Sequence, residues 1–537
     1  MKKHYKTLLS HLENCRTMTE LNQLHALMIK SSVIKNIIPL SRLIDFCTTS
    51  RRPRTSPTRY SNSPKQDKAL TFYQEMLRKG HSPDHFTFPY VLKACWDVKF
   101  GRCVHGFVLK TGFVVNMYVS TCLLHMYMCC GEVECGLKVF EGVPKWNVVG
   151  WGSLVSGFVS NNRFRDAIEV FSEMERHGVE VNETVMVDLL VACGRCKDIE
   201  RGKWFHGLVK ELGFDPFLQS GDDFNVILAT SLVDMYGKCG EMRTARYLFD
   251  EMPERSLVSW NSIITGYSQS GDGEEAMRLF LDMIGLGVSP DKVTFLSVIR
   301  ASMIQGSGRM LHGYVLKTGF VKDAAVVCAL VNMYAKTGDA ESAKRAFEDL
   351  EKKDTIAWTV VIIGLASHGH GNEALSVFQR MREEGSAKPD GITFVGVLYA
   401  CSHVGLVEEG RRYFAEMRDV YGIEPTVEHY GCMVDILSRA GCFEEAERLV
   451  KTMPVQANAN VWGALLNGCE IHENFDLADR IRSVVSESEE LGSGIYVLLS
   501  NIYARAGRWS DVKVVRESMN SRRIAKVLGH SSVETTF

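Results

Sequence analysis

The chain has 537 residues, of which 45% are hydrophobic and 23% are charged, and its formal net charge is −2. This length exceeds what one compact core usually holds, so several domains or a repeat array are expected. The near-neutral charge excludes a protein that holds nucleic acid mainly by bulk electrostatics. The sequence contains no run of about 18 apolar residues, so no membrane-spanning helix is predicted.

The amino-terminal segment, residues 1–16, carries four basic side chains and also Glu13. It lacks the apolar core and the small-residue cleavage site of a secretory signal peptide. Two interpretations fit it equally well: a weak organelle-targeting helix, or simply the first helix of the fold. Most of the 16 cysteines lie in apolar helical patterns, so we interpret them as small buried residues.

Three segments of the chain align with one another, with one extra residue near the end of the third: residues 148–182, 257–291 and 355–390. In the second segment, apolar residues spaced i, i+3, i+4 and i+7 begin at Trp260. Glycines follow at 271 and 273, and the same apolar spacing begins again at Ala276. Each segment therefore predicts two amphipathic helices with a turn between them.

Two further kinds of unit lie between these copies. One kind occupies residues 117–147, 226–256 and 324–354. The other carries an Ala-Cys or Ala-Ser pair and varies in length, from the long residues 183–225 to the short residues 292–323. One hairpin cannot bury its apolar faces alone, so neighbours must stack. We therefore predict an all-α fold, a right-handed superhelical solenoid of helix-turn-helix repeats with a concave groove.

The unit at residues 257–291 reads Leu-Val-Ser-Trp-Asn-Ser-Ile-Ile-Thr-Gly-Tyr at its start and Val-Ser-Pro-Asp at its end. It resembles a pentatricopeptide repeat, and the alternation of three unit types resembles the plant PLS subclass of that family. The resemblance covers nearly the whole chain and implies recognition of single-stranded RNA, one base per repeat. A protein–protein scaffold like a tetratricopeptide array is an alternative, but the Trp-Asn and Pro-Asp unit boundaries argue against it.

The repeat pattern divides the chain into four predicted regions. They are incomplete N-terminal helical repeats at residues 1–49, a degenerate repeat at 50–84, a PLS-type array at 85–458 and extension motifs at 459–537. Residues 50–59 are rich in Arg, Pro and Thr and cannot form the helix expected there. Ile37–Thr49 matches only the first part of a repeat. A deletion or a gene-model error explains this break better than an evolved linker.

The carboxyl-terminal region carries a second resemblance. Val461–Cys469 resembles the first extension motif that follows such repeats, and Tyr496–Ala504 with the following Gly-Arg-Trp resembles the second. Together they indicate the E subgroup, whose members are C-to-U RNA editing factors of mitochondria and plastids. The run Lys526–Glu534 is most similar to a mitochondrial editing factor. The mitochondrion is therefore the predicted location, with the chloroplast as the alternative.

The resemblance also implies partners. They are single-stranded organellar RNA, a DYW-type deaminase supplied in trans and multiple organellar RNA editing factor proteins, and no membrane is expected. The protein would then bind RNA and mark cytidines for editing without performing the chemistry. An organellar RNA processing or stabilisation factor without an editing role is the alternative function, and the extension motifs at 459–534 argue against it.

The chain lacks the motifs of the catalytic domains that we considered most relevant to RNA editing. A zinc deaminase needs His-x-Glu and then Pro-Cys-x-x-Cys; the chain has His-x-Glu only at residues 11–13 and lacks Pro-Cys-x-x-Cys. We interpret the lone Cys-x-x-Cys at residues 193–196 as structural. The recurring His105, His206 and His312 lie in separate units and are interpreted as helix-packing residues. We therefore predict no catalytic residue, no metal, no cofactor and no enzymatic activity.

By the resemblance, the fifth and last residues of each unit read the RNA base. The predicted pairs are Thr121 with Asn147 for A, Thr230 with Ser256 for a purine, Asn261 with Asp291 for U, Thr359 with Asp390 for G, and two pairs without an assigned base, Gly152 with Asn182 and Cys328 with Asp354. From the unit at 117–147, this predicts the target A-x-x-purine-U-x-x-G-x-x, 5′ to 3′, with the edited C a few nucleotides further 3′. Each residue alone also fits an ordinary turn or N-cap.

Overall fold

A computed structural model of the chain describes residues 64–217, 225–302, 307–487 and 493–521. Within these ranges the chain forms 27 α-helices and two short 3-10 helices, and no strand. None of the described helices combines the length and apolar character needed to cross a membrane. The predicted repeats at 1–49, the segment 50–59 and the run Lys526–Glu534 lie outside the described residues.

The helices alternate between the first and the second helix of a hairpin. The first helices are α2 (Thr87–Ala94), α4 (Met117–Cys129), α6 (Val148–Ser160), α8 (Glu183–Cys196), α10 (Val226–Lys238), α12 (Leu257–Ser270), α14 (Lys292–Ser302), α16 (Ala324–Lys336), α18 (Thr355–Ser367), α20 (Gly391–Val404), α22 (Val427–Arg439), α24 (Ala459–His472) and α26 (Ser493–Arg505). The second helices are α1 (Pro64–Arg78), α3 (Val98–Lys110), α5 (Val133–Glu141), α7 (Phe164–Arg176), α9 (Ile199–Glu211), α11 (Met242–Glu251), α13 (Gly273–Gly285), α15 (Gly308–Thr318), α17 (Ala340–Glu348), α19 (Gly371–Glu384), α21 (Val407–Asp419), α23 (Phe443–Thr452), α25 (Phe475–Glu487) and α27 (Trp509–Ser521). The 3-10 helices are Phe113–Val115 and Phe320–Lys322. The all-α hairpin architecture predicted from the apolar spacing is confirmed.

The chain divides into two compact units, residues 1–266 and 267–537. In the first unit, α2, α4, α6, α8 and α10 pack in series, each against the next first helix. In the second unit, α14 to α26 do the same. Within each unit, these first helices also contact their own second helices, and stacking buries the apolar faces that one hairpin leaves open.

Polar residues at the unit boundaries cap the first helices. Asn147 Oδ1 accepts a hydrogen bond from Gly150 N at 3.1 Å, and Asn182 Oδ1 accepts one from Val185 N at 3.0 Å. Such caps satisfy backbone N–H groups that have no partner within the helix, and each stabilises a helix by about 1 kcal/mol. Capping is therefore one physical reason why Asn and Asp recur at the ends of the units.

An aromatic pair lies between each of the three mutually aligned units, at 148–182, 257–291 and 355–390, and the hairpin that precedes it. A buried tryptophan, the fourth residue of the unit, meets a phenylalanine of the preceding second helix edge to face, with ring centroids 4.8 Å apart. The pairs are Phe140 with Trp151, Phe249 with Trp260, and Phe347 with Trp358. Edge-to-face contacts of this kind stabilise by about 0.5–1.5 kcal/mol beyond the burial of their area.

The three recurring histidines make equivalent contacts between neighbouring hairpins. Each imidazole Nδ1 lies within hydrogen-bonding distance of a tyrosine hydroxyl on the next first helix. The pairs are His105 with Tyr127 at 2.9 Å, His206 with Tyr236 at 2.9 Å and His312 with Tyr334 at 3.1 Å. The histidines therefore occupy packing positions, as the sequence predicted.

His206 makes the stability of the fold sensitive to acid. Its Nε2 atom is buried without a hydrogen-bond partner in the described residues, and burial, reinforced by the charge of Lys210, lowers the pKa of His206 from 6.5 to about 4. Below pH 6.5 the unfolded chain gains a proton that the folded chain refuses, so stability present above pH 6.5 is lost as the pH falls towards 4. We expect the melting temperature to fall across this window.

The variant His206→Gln tests this expectation, because an amide can still bond to Tyr236 but does not titrate. Thermal melting of the wild type and the variant between pH 7 and pH 5 should show a shallower fall for the variant. Parallel curves for the two proteins would contradict the assignment of acid sensitivity to His206.

Candidate nucleic-acid interface

The two predicted reading residues of the unit at 355–390 are joined by a chain of hydrogen bonds. Thr393 lies one turn into α20, and its hydroxyl donates to Asp390 Oδ1 at 2.8 Å. Thr359 Oγ1, in the second turn of α18, lies 2.7 Å from Thr393 Oγ1. Because the only hydroxyl hydrogen of Thr393 is used on Asp390, Thr359 must be the donor in this contact. The fifth and last residues of the unit therefore meet at one edge.

The unit at 148–182 has the same arrangement without the hydroxyls. A Cβ added at Gly152 would lie 3.1 Å from Val185 Cγ2, and Val185 N is the group that Asn182 caps. The fifth residue of one hairpin therefore lies beside the third residue of the next first helix. Stacking of the hairpins brings the predicted pair together, although many residues separate its members along the chain.

Thr230 and Ser256 line a cleft of about 800 Å³ that is bordered by α8, α10 and the start of α12. Thr230 Oγ1 is buried and has no hydrogen-bond partner in the described residues. Val187 and Asn225, the fifth and last residues of the long unit at 183–225, line the same cleft. Our sequence reasoning missed this second pair, which the fifth-and-last rule applied to the long unit would have found.

Three further predicted reading residues, Thr121, Asn261 and Asp291, lie on or at the start of first helices. Thr121 is buried and its hydroxyl donates to Met117 O at 2.8 Å, within its own helix. Asn261 is 8% exposed on α12. Asp291 Oδ1 accepts from Thr294 N at 2.9 Å at the start of α14. Asn261 and Asp291 belong to different compact units.

Cys328 and Asp354 lie close enough to interact electrostatically. Burial raises the pKa of the Cys328 thiol to about 11, and the charge of Asp354 adds to this effect. Asp354 also caps α18, accepting from Ala357 N at 2.9 Å. The thiol is therefore neutral at physiological pH and lies near the last residue of its unit.

Capping uses only one side-chain atom of each boundary residue. The Oδ1 atoms of Asn147 and Asn182 accept the capping bonds, and their Nδ2 groups have no partner in the described part of the chain. Asp390 Oδ1 accepts two bonds, whereas its Oδ2 accepts none. An exposed Asn therefore presents a hydrogen-bond donor at this edge, and an exposed Asp presents an acceptor.

Exposed apolar side chains recur at the second position of the units, and along the sequence they form a row in register with the fifth-position residues. Each exposes at least half of its surface, which is unusual for residues of this type in a helix. They are Tyr118, Val149, Ile227, Val258, Val293, Ile356 and Ile392. Sequence reasoning missed this row, although its signal was visible: an apolar residue that recurs in register but outside the buried i, i+3, i+4 stripe.

Basic residues end several first helices. They stand in the last turn of α8, α10, α14, α16 and α22: Arg195, Lys238, Arg300, Lys336 and Arg439. Cations at these positions interact favourably with the helix dipole. Two of them, Lys238 and Arg439, also form ion pairs with Asp234 and Asp435, one turn earlier on the same helices.

The lone Cys-x-x-Cys lies at the end of α8. Cys193 is buried, and burial raises the pKa of its thiol to about 12. In the described ranges, no group of three or more His, Cys, Asp or Glu side chains is arranged to hold a metal ion. The interface described above is built instead from uncharged polar, carboxylate, apolar and basic side chains.

Protein-family models match several of these hairpins and the carboxyl-terminal region. The PPR repeat matches residues 149–179, 227–257, 326–355, 356–386, 392–420 and 428–455. The PPR repeat family matches residues 255–302, and the E motif matches residues 472–534. The fold and these matches define a helical-hairpin repeat protein that carries an extension motif.

Several plant proteins are similar to this chain over most of its length. A putative pentatricopeptide repeat-containing protein of Arabidopsis thaliana is 75% identical over 566 aligned positions, which cover 100% of both chains. A mitochondrial pentatricopeptide repeat-containing protein of the same plant is 34% identical and is aligned over 99% of this chain and 85% of its own length. A chloroplastic one is 34% identical, with 98% and 78% covered. The chain belongs to the pentatricopeptide repeat family.

Solved structures show the same fold. The pentatricopeptide repeat protein PPR10 in complex with an 18-nt psaJ RNA element matches with a TM-score of 0.62 and 17% identity, covering 96% of this chain and 78% of that chain. PPR10 from maize matches with a TM-score of 0.56 and 16% identity, over the same shares of both chains. The predicted fold class, a solenoid of helical hairpins, is confirmed.

Proposed function

We propose that this protein binds single-stranded organellar RNA in a sequence-specific manner and selects cytidines for C-to-U editing by a deaminase supplied in trans. The observation that carries the proposal is the meeting of Thr359 and Asp390 through Thr393. A base edge is recognised by a donor and acceptor set held in fixed geometry, and this contact holds two such side chains at one edge of the hairpin stack.

The chemistry of the boundary residues agrees with the proposed base preferences. The Watson–Crick edge of adenine offers N1 as an acceptor, which the free Nδ2 group of Asn147 can fill. The corresponding edge of guanine offers N1–H as a donor, which the free Oδ2 atom of Asp390 can accept. The two boundary residues thus differ in direction for one hydrogen bond: Asn147 donates to the base, whereas Asp390 accepts from it. That difference distinguishes A from G.

The exposed second-position residues supply apolar contacts to the faces of the bases, in addition to the hydrogen bonds at the base edges. Splayed bases of single-stranded RNA need flat or apolar surfaces against which they can pack. Val149, Ile356 and Ile392 offer such surfaces next to the reading residues. Basic residues at the helix ends, Arg195, Arg300 and Lys336, can supply cations for the phosphates, so binding should weaken as salt increases.

The editing role rests on the carboxyl-terminal region. We propose that residues 85–458 form the RNA-reading array, behind an incomplete or degenerate start at 1–84, and that residues 459–537 recruit partners. The E motif matched at 472–534 supports this division. The proposed partners are a DYW-type deaminase and multiple organellar RNA editing factor proteins. The protein itself would provide the address and no catalysis.

The proposed location is the mitochondrion, with the chloroplast as the alternative. Relatives that align over most of this chain are named mitochondrial in some cases and chloroplastic in others. The proposal of an organellar RNA target holds for either organelle, so it does not depend on which of the two is correct.

Sequencing the organellar transcripts of a plant that lacks this protein tests the proposal. We expect C-to-U conversion to be lost at one or a few sites, each preceded by the pattern A-x-x-purine-U-x-x-G-x-x. Both organelles should be sequenced in the same plants, since the affected transcript then identifies the location. Unchanged conversion at every site, together with altered transcript ends or abundance, would instead establish an RNA processing role.

A further inference from the structure

A second cleft lies on the first helices of the carboxyl-terminal half. It is bordered by α20, α22, α24 and α26 and has a volume of about 620 Å³. Pockets of about 300–1,000 Å³ accommodate groups of the size of a nucleotide or a small ligand. The cleft lies within one compact unit and continues the row of first helices that carries Thr359 and Asp390.

The fifth residues of the hairpins around this cleft have no side chain that can read a base. They are Val395, Gly431 and Gly463. A Cβ at Gly431 would lie 3.8 Å from Val461 Cγ2, and a Cβ at Gly463 would lie 3.7 Å from Ile495 Cδ1. A Cβ at either glycine would make only ordinary contacts, and the absence of larger side chains at these two positions leaves room in the cleft for a base.

Two side chains that line the cleft stand at the ninth position of their first helices, one turn beyond the fifth residues. Tyr399 is 36% exposed, and its ring meets His403 edge to face, with ring centroids 4.4 Å apart. Asn467 stands at the equivalent position of α24 and lines the same cleft. In the described residues, the Tyr399 hydroxyl and the Asn467 amide have no hydrogen-bond partner.

The two carboxylates that line the cleft already accept hydrogen bonds. Asp435 accepts from the Ser402 hydroxyl and from Arg439 Nε at 2.8 Å. Glu428 accepts from the Thr426 hydroxyl at 2.6 Å. Tyr399 and Asn467 add an aromatic face, a phenol and an amide to the cleft, and these together suit a neutral, flat, hydrogen-bonding group. A nucleobase has these properties, whereas a phosphate or a charged peptide side chain does not.

We propose that this cleft holds a base of the bound RNA, with the base stacked on Tyr399 and its edge hydrogen-bonded to the Asn467 amide. The base lies 3′ of the one read by Thr359 and Asp390, since the proposed RNA path runs 5′ to 3′ towards the carboxyl terminus. This inference rests on the proposed RNA-binding function. It adds a recognition site outside the fifth and last positions of the repeats.

Two synthetic single-stranded RNAs test the site. One carries A-x-x-purine-U-x-x-G and ends there, and the other continues with several further nucleotides over the cleft. We expect the extension to raise the affinity of the wild-type protein about tenfold, which is typical for one stacked base. The variant Tyr399→Ala should lose this gain, whereas Tyr399→Phe should keep most of it. Gly431→Leu, which fills the open space, should lose it without removing the ring.

The control variant is Tyr247→Ala, which removes a tyrosine that is 63% exposed on the second helix α11, and it should keep the whole gain. 2-Aminopurine at successive extension positions should lose fluorescence on binding at one position, in the wild type but not in Tyr399→Ala. If Tyr399→Ala keeps the gain while the wild type discriminates the pattern from a scrambled RNA, the cleft inference is overturned and the proposed function stands. If the wild type does not discriminate the two RNAs, both are overturned.

Discussion

Replacing Asp390 with asparagine is expected to change the preferred base at its position in the target from G to A. Asp390 Oδ1 caps α20, while Oδ2 has no partner in the described residues. In Asp390→Asn, the Oδ1 atom can keep the cap, because Asn and Asp are equivalent N-caps. The free atom changes from an acceptor to an N–H donor, so it should repel the N1–H of guanine and bond to N1 of adenine.

The expected size follows from the cost of a mismatched base, which is about 1–3 kcal/mol for a well-separated position. Binding of the original RNA should therefore weaken about tenfold or more, and an RNA with A in place of that G should recover it. Fluorescence anisotropy with the two RNAs measures both. The reverse variant Asn147→Asp should change A to G at the other end of the target.

These two variants together separate recognition from folding. If Asp390→Asn weakened binding to both RNAs equally, the residue would act only through the cap or the fold. If the preference changed for Asp390→Asn and in the opposite direction for Asn147→Asp, the free atom of the boundary residue would be the reading group. Far-ultraviolet circular dichroism should be the same for all three proteins.

Replacing Gly468 with alanine is expected to destabilise the junction between the last repeat and the extension motif. A Cβ at Gly468 would lie 2.5 Å from Ser438 Cβ and 2.8 Å from Ser438 O. These atoms belong to the backbone and first side-chain atom of α22, so the two helices must separate. Overpacking of this kind costs about 1–3 kcal/mol, which exceeds the helix-propensity gain of about 1 kcal/mol from replacing glycine.

The matched control is Gly463→Ala on the same helix. A Cβ there would make ordinary contacts, the nearest at 3.7 Å from Ile495 Cδ1, so only the propensity gain remains. We expect thermal melting to show a lower melting temperature for Gly468→Ala and an unchanged or higher one for Gly463→Ala. Equal melting temperatures would show that α22 and α24 can move apart without cost.

Loss of this junction should also separate the two proposed activities. The predicted reading residues from Thr121 to Asp390 lie before α22, so Gly468→Ala should leave the affinity for a short RNA that ends at the predicted G nearly unchanged. Editing in plants complemented with this variant should fall, because the extension motif from α24 onwards would be displaced. A fall in both activities to the same degree would contradict a division of labour at residue 459.

Much of the local structure was determined by the sequence alone. The spacing of Trp260, Ile263 and Tyr267 predicted a helix that the structure places at Leu257–Ser270. The glycines at 271 and 273 marked the turn, because glycine ends helices at little steric cost. Apolar periodicity and turn residues act over a few positions, so they can be read before any tertiary contact is known.

The tertiary structure decided which residues meet across hairpins. The contact of Thr359 with Thr393, the position of Gly152 beside Val185 and the cleft around Tyr399 depend on how one first helix lies on the next. The repeat register of the sequence identified the fifth and last residues of most units. It did not lead us to Val187 or to the exposed second-position residues from Tyr118 to Ile392. Helix packing depends on the shape of whole side-chain surfaces, and a repeat length alone does not contain that information.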